Sequence, residues 1–257
     1  MTGTISLPNN RGRLLLVEDA DELARVAAET FVEAVGETVT RRGDALVALS
    51  GGSTPKQMGR LLAAPPFSTE TPWSNLTVFW SDERWVPLDS RDSNAGVAIR
   101  IFLDHVPVPR SHIHPVDTML PSPADAAAAY AATIHAATGA LEPAVPAFDL
   151  ILLGMGDDAH TASLFPHTPA LRVADRIVTD NFVTKLDAQR ITFTYPLINA
   201  ARRVVFLIGG AAKAEPLAEV LEGPEDVDRL PAQGVRPVGD LLWIVDRAAA
   251  ARLSVIR

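Results

Sequence analysis

Ala45-Leu46-Val47-Ala48-Leu49 runs directly into Ser50-Gly51-Gly52-Ser53-Thr54-Pro55. An unbroken apolar run of this length fits a strand buried on both faces, as in a parallel sheet. The paired glycines let the backbone come close to a ligand, Ser53 or Thr54 can cap a following helix, and Pro55 suits its first turn. The pattern recurs along the chain. Short apolar runs at 76–80, 148–153, 204–208 and 241–245 alternate with helix-like stretches at 55–64, 94–104, 123–138 and 213–222. Ahead of them, Leu23, Val26, Ala27, Phe31, Ala34 and Val35 form one helix stripe over 19–41, with Asp19 and Glu22 placed as a capping box and Gly43 as the stop. Alternating strand and helix predicts an α/β fold with a doubly wound, mostly parallel, Rossmann-like sheet. Two further short strands, at 176–179 and 190–195, predict a small additional β element. Pro-rich connections are too short to demand a boundary, so residues 1–257 are expected to form one domain, with a polar N-terminal extension over 1–13.

The chain has 257 residues, 23 Lys+Arg against 31 Asp+Glu, a formal charge of -8 and no cysteine. A disulfide framework, a thiolate nucleophile and a Cys-ligated zinc are therefore excluded. Leu14-Leu15-Leu16-Val17 ends at Glu18, too short for a signal-peptide core, and no uncharged apolar stretch approaches the roughly 20 residues of a membrane span. A soluble, cytoplasmic protein with no membrane partner is the expectation. The acidic balance argues against a nucleic-acid partner, and an anionic ligand would need local positive charge.

In open α/β sheets, ligands bind beyond the carboxyl ends of the strands. Those positions read Ser50 to Pro55, then Ser81-Asp82-Glu83-Arg84, then Gly154-Met155-Gly156-Asp157-Asp158-Ala159-His160-Thr161, then Gly209-Gly210-Ala211-Ala212-Lys213. Glycines, hydroxyls, carboxylates, a histidine, an arginine and a lysine together suit a small anion. A helix start after Gly51-Gly52 can hold phosphate on free N–H groups. It is not a Walker loop, since the Gly-Lys-Ser/Thr order is missing, and Gly154 and Gly156 are followed by Ala159 rather than by the third glycine of a dinucleotide turn. Lys213 could neutralise a phosphate, although most lysines are simply solvated. His160 is the candidate general base, with Asp157 and Asp158 nearby to orient it, although a lone histidine is more often structural. The histidines show no zinc-motif spacing, so no metal is expected, and Ser163 lies in no nucleophile elbow.

Taken together, these loops resemble the 6-phosphogluconolactonase family. Residues 49–55 look like its phosphate loop, Phe79-Trp80-Ser81-Asp82-Glu83-Arg84-Trp85-Val86-Pro87 is similar to its second motif, and Asp92-Ser93-Asn94 to the stretch that follows. Residues 154–166 resemble its most specific block, with Ala159 where the family usually has glycine. Arg190-Ile191-Thr192 and residues 209–213 extend the likeness over nearly the whole chain. The resemblance implies hydrolysis of 6-phosphogluconolactone in the oxidative pentose phosphate pathway, without metal or organic cofactor. It implies His160 as base, Asp158 or Asp82 orienting it, Gly51, Gly52, Ser53, Thr54, Arg84 and Lys213 around the phosphate, and Arg84 as a candidate for the carbonyl oxygen as well. A small phosphorylated sugar lactone is the expected partner, and a monomer or weak homo-oligomer the expected state. Glucosamine-6-phosphate deaminases carry a similar block ending in Asn-Glu-Pro, whose glutamate assists isomerisation; here that place reads Leu164-Phe165-Pro166, which cannot move protons. A non-catalytic sugar-phosphate sensor would not need His160 and would normally be joined to a DNA-binding segment.

Overall fold

The computed structural model describes residues 3–8 and 10–256. Its strands are β1 (Ile5–Ser6), β2 (Arg13–Val17), β3 (Ala45–Leu49), β4 (Leu76–Trp80), β5 (Asp82–Arg84), β6 (Leu150–Leu153), β7 (Val178–Val183), β8 (Ala188–Phe193), β9 (Arg203–Ile208) and β10 (Asp240–Asp246). The helices are α1 (Ala20–Arg42), α2 (Ser53–Leu62), α3 (Phe67–Glu70), α4 (Asn94–Ile101), α5 (Pro123–Thr138), α6 (Tyr195–Asn199), α7 (Ala214–Glu222) and α8 (Arg247–Ala250). The larger sheet runs β1-β2-β10-β9-β6-β3-β4, parallel throughout except for β1, and β5-β8-β7 form a small antiparallel sheet.

The apolar runs are continuous because both faces of the large sheet are covered. Along β9, Val204, Phe206 and Ile208 enter one core cluster and Val205 and Leu207 the other; β6 divides the same way, with Ile151 and Leu153 against Leu150 and Leu152. One cluster includes Leu23 and Phe31 of α1 and Met58 and Leu62 of α2, and the other Tyr130 and Ile134 of α5 and Leu217 and Leu221 of α7. Each fully buried Leu, Ile or Phe contributes about 1.5–3 kcal/mol relative to exposure, so this two-sided burial dominates the fold's energetics.

Local signals set the element ends. The Asp19 carboxylate accepts from the N–H groups of Asp21 and Glu22, while the Glu22 carboxylate accepts from Glu18 N at 2.6 Å, one residue earlier than a standard capping box. Gly43 closes α1 in the left-handed region at φ 92°. Other elements depart from expectation. Of the polar head, Met1, Thr2 and Asn9 lie outside the described residues, while Ile5–Ser6 pairs with Arg13–Leu14 and Leu7 is buried. Helix α2 begins at Ser53, so its N-cap is Gly52, and neither Ser53 nor Thr54 caps it. Residues 82–84, expected as a loop, form a strand. Ser81 joins the sheets by donating its N–H to Leu49 O and accepting from Phe193 N, each at 2.8 Å.

Candidate active site

The chain changes winding direction between neighbours β3 and β6: β3 is followed outward by β4, whereas β6 is followed by β9 and β10 on its other side. The loops leaving β3, β6 and β9, with β5 just beyond β4, enclose a cleft of about 370 Å³. Gly51, Gly52, Ser53, Thr54, Asp82, Arg84, His160 and Lys213 all line it; Asp158 supports it from behind His160.

The loop after β6 fixes the histidine. Gly156 N donates to His160 O at 2.8 Å, Thr161 Oγ1 to Gly154 O at 2.9 Å, and Ala232 N to Ala159 O at 3.0 Å. Folding back this tightly drives Ala159 and Ala162 to φ 61° and 48°, the left-handed region where a side chain costs energy. A Cβ at Gly156 would overlap the His160 ring, so only glycine lets the ring lie against that backbone. The ring also stacks on Phe165, with centroids 3.9 Å apart. Through this packing Phe165 supports the imidazole.

His160 Nδ1 lies 2.6 Å from Asp158 Oδ1. Burial alone would raise the Asp158 carboxyl, but hydrogen bonding and charge from His160, joined by Lys185 at 3.1 Å, hold it well below the usual carboxylate range. An ionised Asp158 accepts from Nδ1–H, which leaves the Nε2 lone pair as the basic site of a neutral ring. Asp82 serves elsewhere. Its carboxylate accepts from Ser163 Oγ at 2.8 Å and Asn94 Nδ2 at 3.3 Å, tying the histidine loop to α4. Of the two aspartates expected to orient His160, Asp158 is therefore the one bonded to it.

Glu83, almost fully buried between these residues, accepts from the N–H groups of Arg84, Asn94 and Ala95 and from Ser93 Oγ. Burial pushes its carboxyl up, against the pull of those backbone donors. Its bonds bind β5 to the first turn of α4 and so fix Arg84.

The same cleft gathers positive potential. Gly52, at φ 115°, gives the α2 N-terminus no side-chain cap, and Ser53 and Thr54 line the cleft. Arg84 and Arg190 are cross-strand partners in the β5–β8 ladder, and both face the cleft. Like charges placed opposite each other in a ladder repel. Burial, with Arg84 adding to it, makes the Arg190 cation unfavourable, and the Nε atoms of both arginines are buried without partners. Arg84 Nη1 donates to Asp92 O at 2.7 Å, and no ion pair engages Arg84, Arg190 or Lys213 among the described residues. Two crowded guanidiniums, a lysine and a free helix start make a site that an anion would stabilise. From the sequence, Arg190 is named only as part of the Arg190-Ile191-Thr192 stretch, with no role in the site. Its signal was present, an arginine directly before the β-branched pair Ile191-Thr192, but only the β8 register shows where it points. Among the described residues, no three His, Asp or Glu side chains gather to hold a metal ion.

An open α/β fold with its polar cleft at the topological switch point is the class that these features define. The chain matches the family model for glucosamine-6-phosphate isomerases/6-phosphogluconolactonase over residues 18–243 and belongs to that family. A 6-phosphogluconolactonase from Synechocystis sp. is 44% identical over 220 residues, 85% of this chain and 89% of the relative. One from Nostoc sp. is 42% identical over 240 residues, 93% and 98% of the two chains. Among solved structures, the 6-phosphogluconolactonase from Trypanosoma cruzi aligns at a TM-score of 0.83 and 28% identity, covering 94% of this chain and 96% of that one. A monomeric glucosamine-6-phosphate deaminase shares the fold at a TM-score of 0.77 and 21% identity, covering 93% of this chain and 99% of that one.

Proposed function

We propose that the protein hydrolyses 6-phospho-D-glucono-1,5-lactone to 6-phospho-D-gluconate, the second step of the oxidative pentose phosphate pathway. The observation that carries this reading is the His160–Asp158 pair facing, across one cleft, an uncapped helix start and three unpaired cations. The phosphate sits on the N–H groups of Ser53 and Thr54 with Arg190 and Lys213, and Gly51 and Gly52 leave room for it. Arg84, next to that site, faces the lactone carbonyl or the phosphate.

The lactone is already an activated ester, so the chemistry needs only a positioned water and proton management. His160 Nε2 takes a proton as the water oxygen bonds to C1. The imidazolium is stabilised by Asp158, and the developing oxyanion faces Arg84. When the bond from C1 to the ring oxygen breaks, that oxygen takes the proton from Nε2, which regenerates the neutral histidine. Phe165 favours hydrolysis over isomerisation, because it puts an apolar ring where ring-opening chemistry needs a carboxylate. We further propose that the chain acts as one cytoplasmic domain, as a monomer or weak homo-oligomer; among the described residues no helix is long and apolar enough to cross a membrane. Following lactone loss and 6-phosphogluconate formation by NMR tests the reading: the enzyme should exceed spontaneous hydrolysis by orders of magnitude. A rate equal to buffer, or ammonia release from glucosamine 6-phosphate, overturns it.

A further inference from the structure

The hairpin between β7 and β8 reaches back to the catalytic pair. Its turn is a single 3-10 segment, Thr184–Leu186, closed by Asp187 in the left-handed region at φ 46°. Leu186 lines the cleft although it is 45% exposed, and Lys185 Nζ lies 3.1 Å from Asp158 Oδ2 and 3.9 Å from Asp157 Oδ1. The two Asp158 oxygens are thus divided: Oδ1 holds the His160 ring and Oδ2 holds the hairpin. Ala188–Phe193, the strand leaving the same turn, carries Arg190 into the cleft.

We propose that Lys185 is a positioning residue for His160, acting through Asp158, and that it keeps the imidazole neutral at lower pH than the aspartate alone would allow. This rests on His160 being the base proposed above. A bare carboxylate against Nδ1 stabilises the imidazolium and so raises the pH below which the base is lost. A cation on the far oxygen offsets part of that charge while keeping the carboxylate ionised and correctly aimed. Because Lys185 is itself well exposed, its effect is moderate. The other charged groups around the ring are Asp157 on its own loop, Asp82 and Arg84 on β5, Arg190 on β8 and Lys213 after β9. They are unchanged in a Lys185 variant, so the comparison isolates this one cation.

The test compares Lys185→Met and Lys185→Arg with the unmodified protein, measuring the pH profile of kcat/KM and the NMR titration of the His160 imidazole. Lys185→Met should move both the acid limb and the titration upward by about half a pH unit or more, with Lys185→Arg restoring them. On the alkaline plateau KM should change little, since Lys185 does not touch the phosphate site. An imidazole titration unchanged in Lys185→Met overturns the proposal. If the unmodified protein hydrolyses no lactone, the functional reading fails, yet the titration still decides whether Lys185 acts on His160.

Discussion

At the residue scale, the cleft depends on one imidazole held by Asp158 at Nδ1, stacked on Phe165 and packed against the bare backbone of Gly156. His160→Ala should lower kcat about 10²- to 10⁴-fold, the usual range for losing a general base, as read in a steady-state lactonase assay. Undiminished turnover would remove His160 from the chemistry. Its neighbour Ala159 carries a methyl in the left-handed region. A methyl at φ 61° costs about 1 kcal/mol of backbone strain, but it is fully buried, and burying one carbon contributes about 0.8 kcal/mol. Ala159→Gly should therefore leave Tm within about 2 °C of the unmodified protein. Ala159→Val, β-branched in a region such residues avoid, should cost more than about 2 kcal/mol and lower Tm by several degrees. Equal melting of the valine variant would mean that the left-handed backbone imposes no constraint there.

At the element scale, the separation between what the sequence reveals and what it hides follows the physics. Strands such as β9 are legible because burial on both faces demands continuous apolar residues, and α1 because its caps and stripe are local. Strand β5 is not, since Asp82-Glu83-Arg84 offers three charges and no apolar alternation. It is a strand only because β8 pairs with it and the first turn of α4 satisfies Glu83. For the same reason His160 can be singled out by type and position, whereas Arg190 and Lys185 acquire meaning only from the register and turn of the β7–β8 hairpin. With the phosphate placed as proposed, Arg190→Ala and Lys213→Ala should each remove a charge-assisted bond to it worth about 1.5–3 kcal/mol, and so raise KM roughly 10- to 100-fold while kcat falls less. Initial-rate kinetics at several lactone concentrations give both constants. An unchanged KM for Arg190→Ala would place the phosphate elsewhere.

At the scale of the whole molecule, a net charge of -8 coexists with a cleft whose lining gathers Arg84, Arg190 and Lys213 around one helix start. Whole-chain charge describes the surface at large, whereas recognition depends on the field inside a recess with low-dielectric walls. The fold creates that recess by bringing four loops from distant parts of the sequence to one edge of the sheet, with His160 and Asp158 on the β6 side and Arg84, Arg190, Lys213 and the α2 start on the β3, β5, β8 and β9 sides. In the proposed reaction these two halves act on one substrate. The most direct measurement is the ratio of kcat/KM for 6-phosphogluconolactone to that for unphosphorylated gluconolactone. A phosphate held by several charge-assisted bonds should give a preference of about 10³-fold or more for the phosphorylated lactone. Equal efficiency toward both lactones would contradict it.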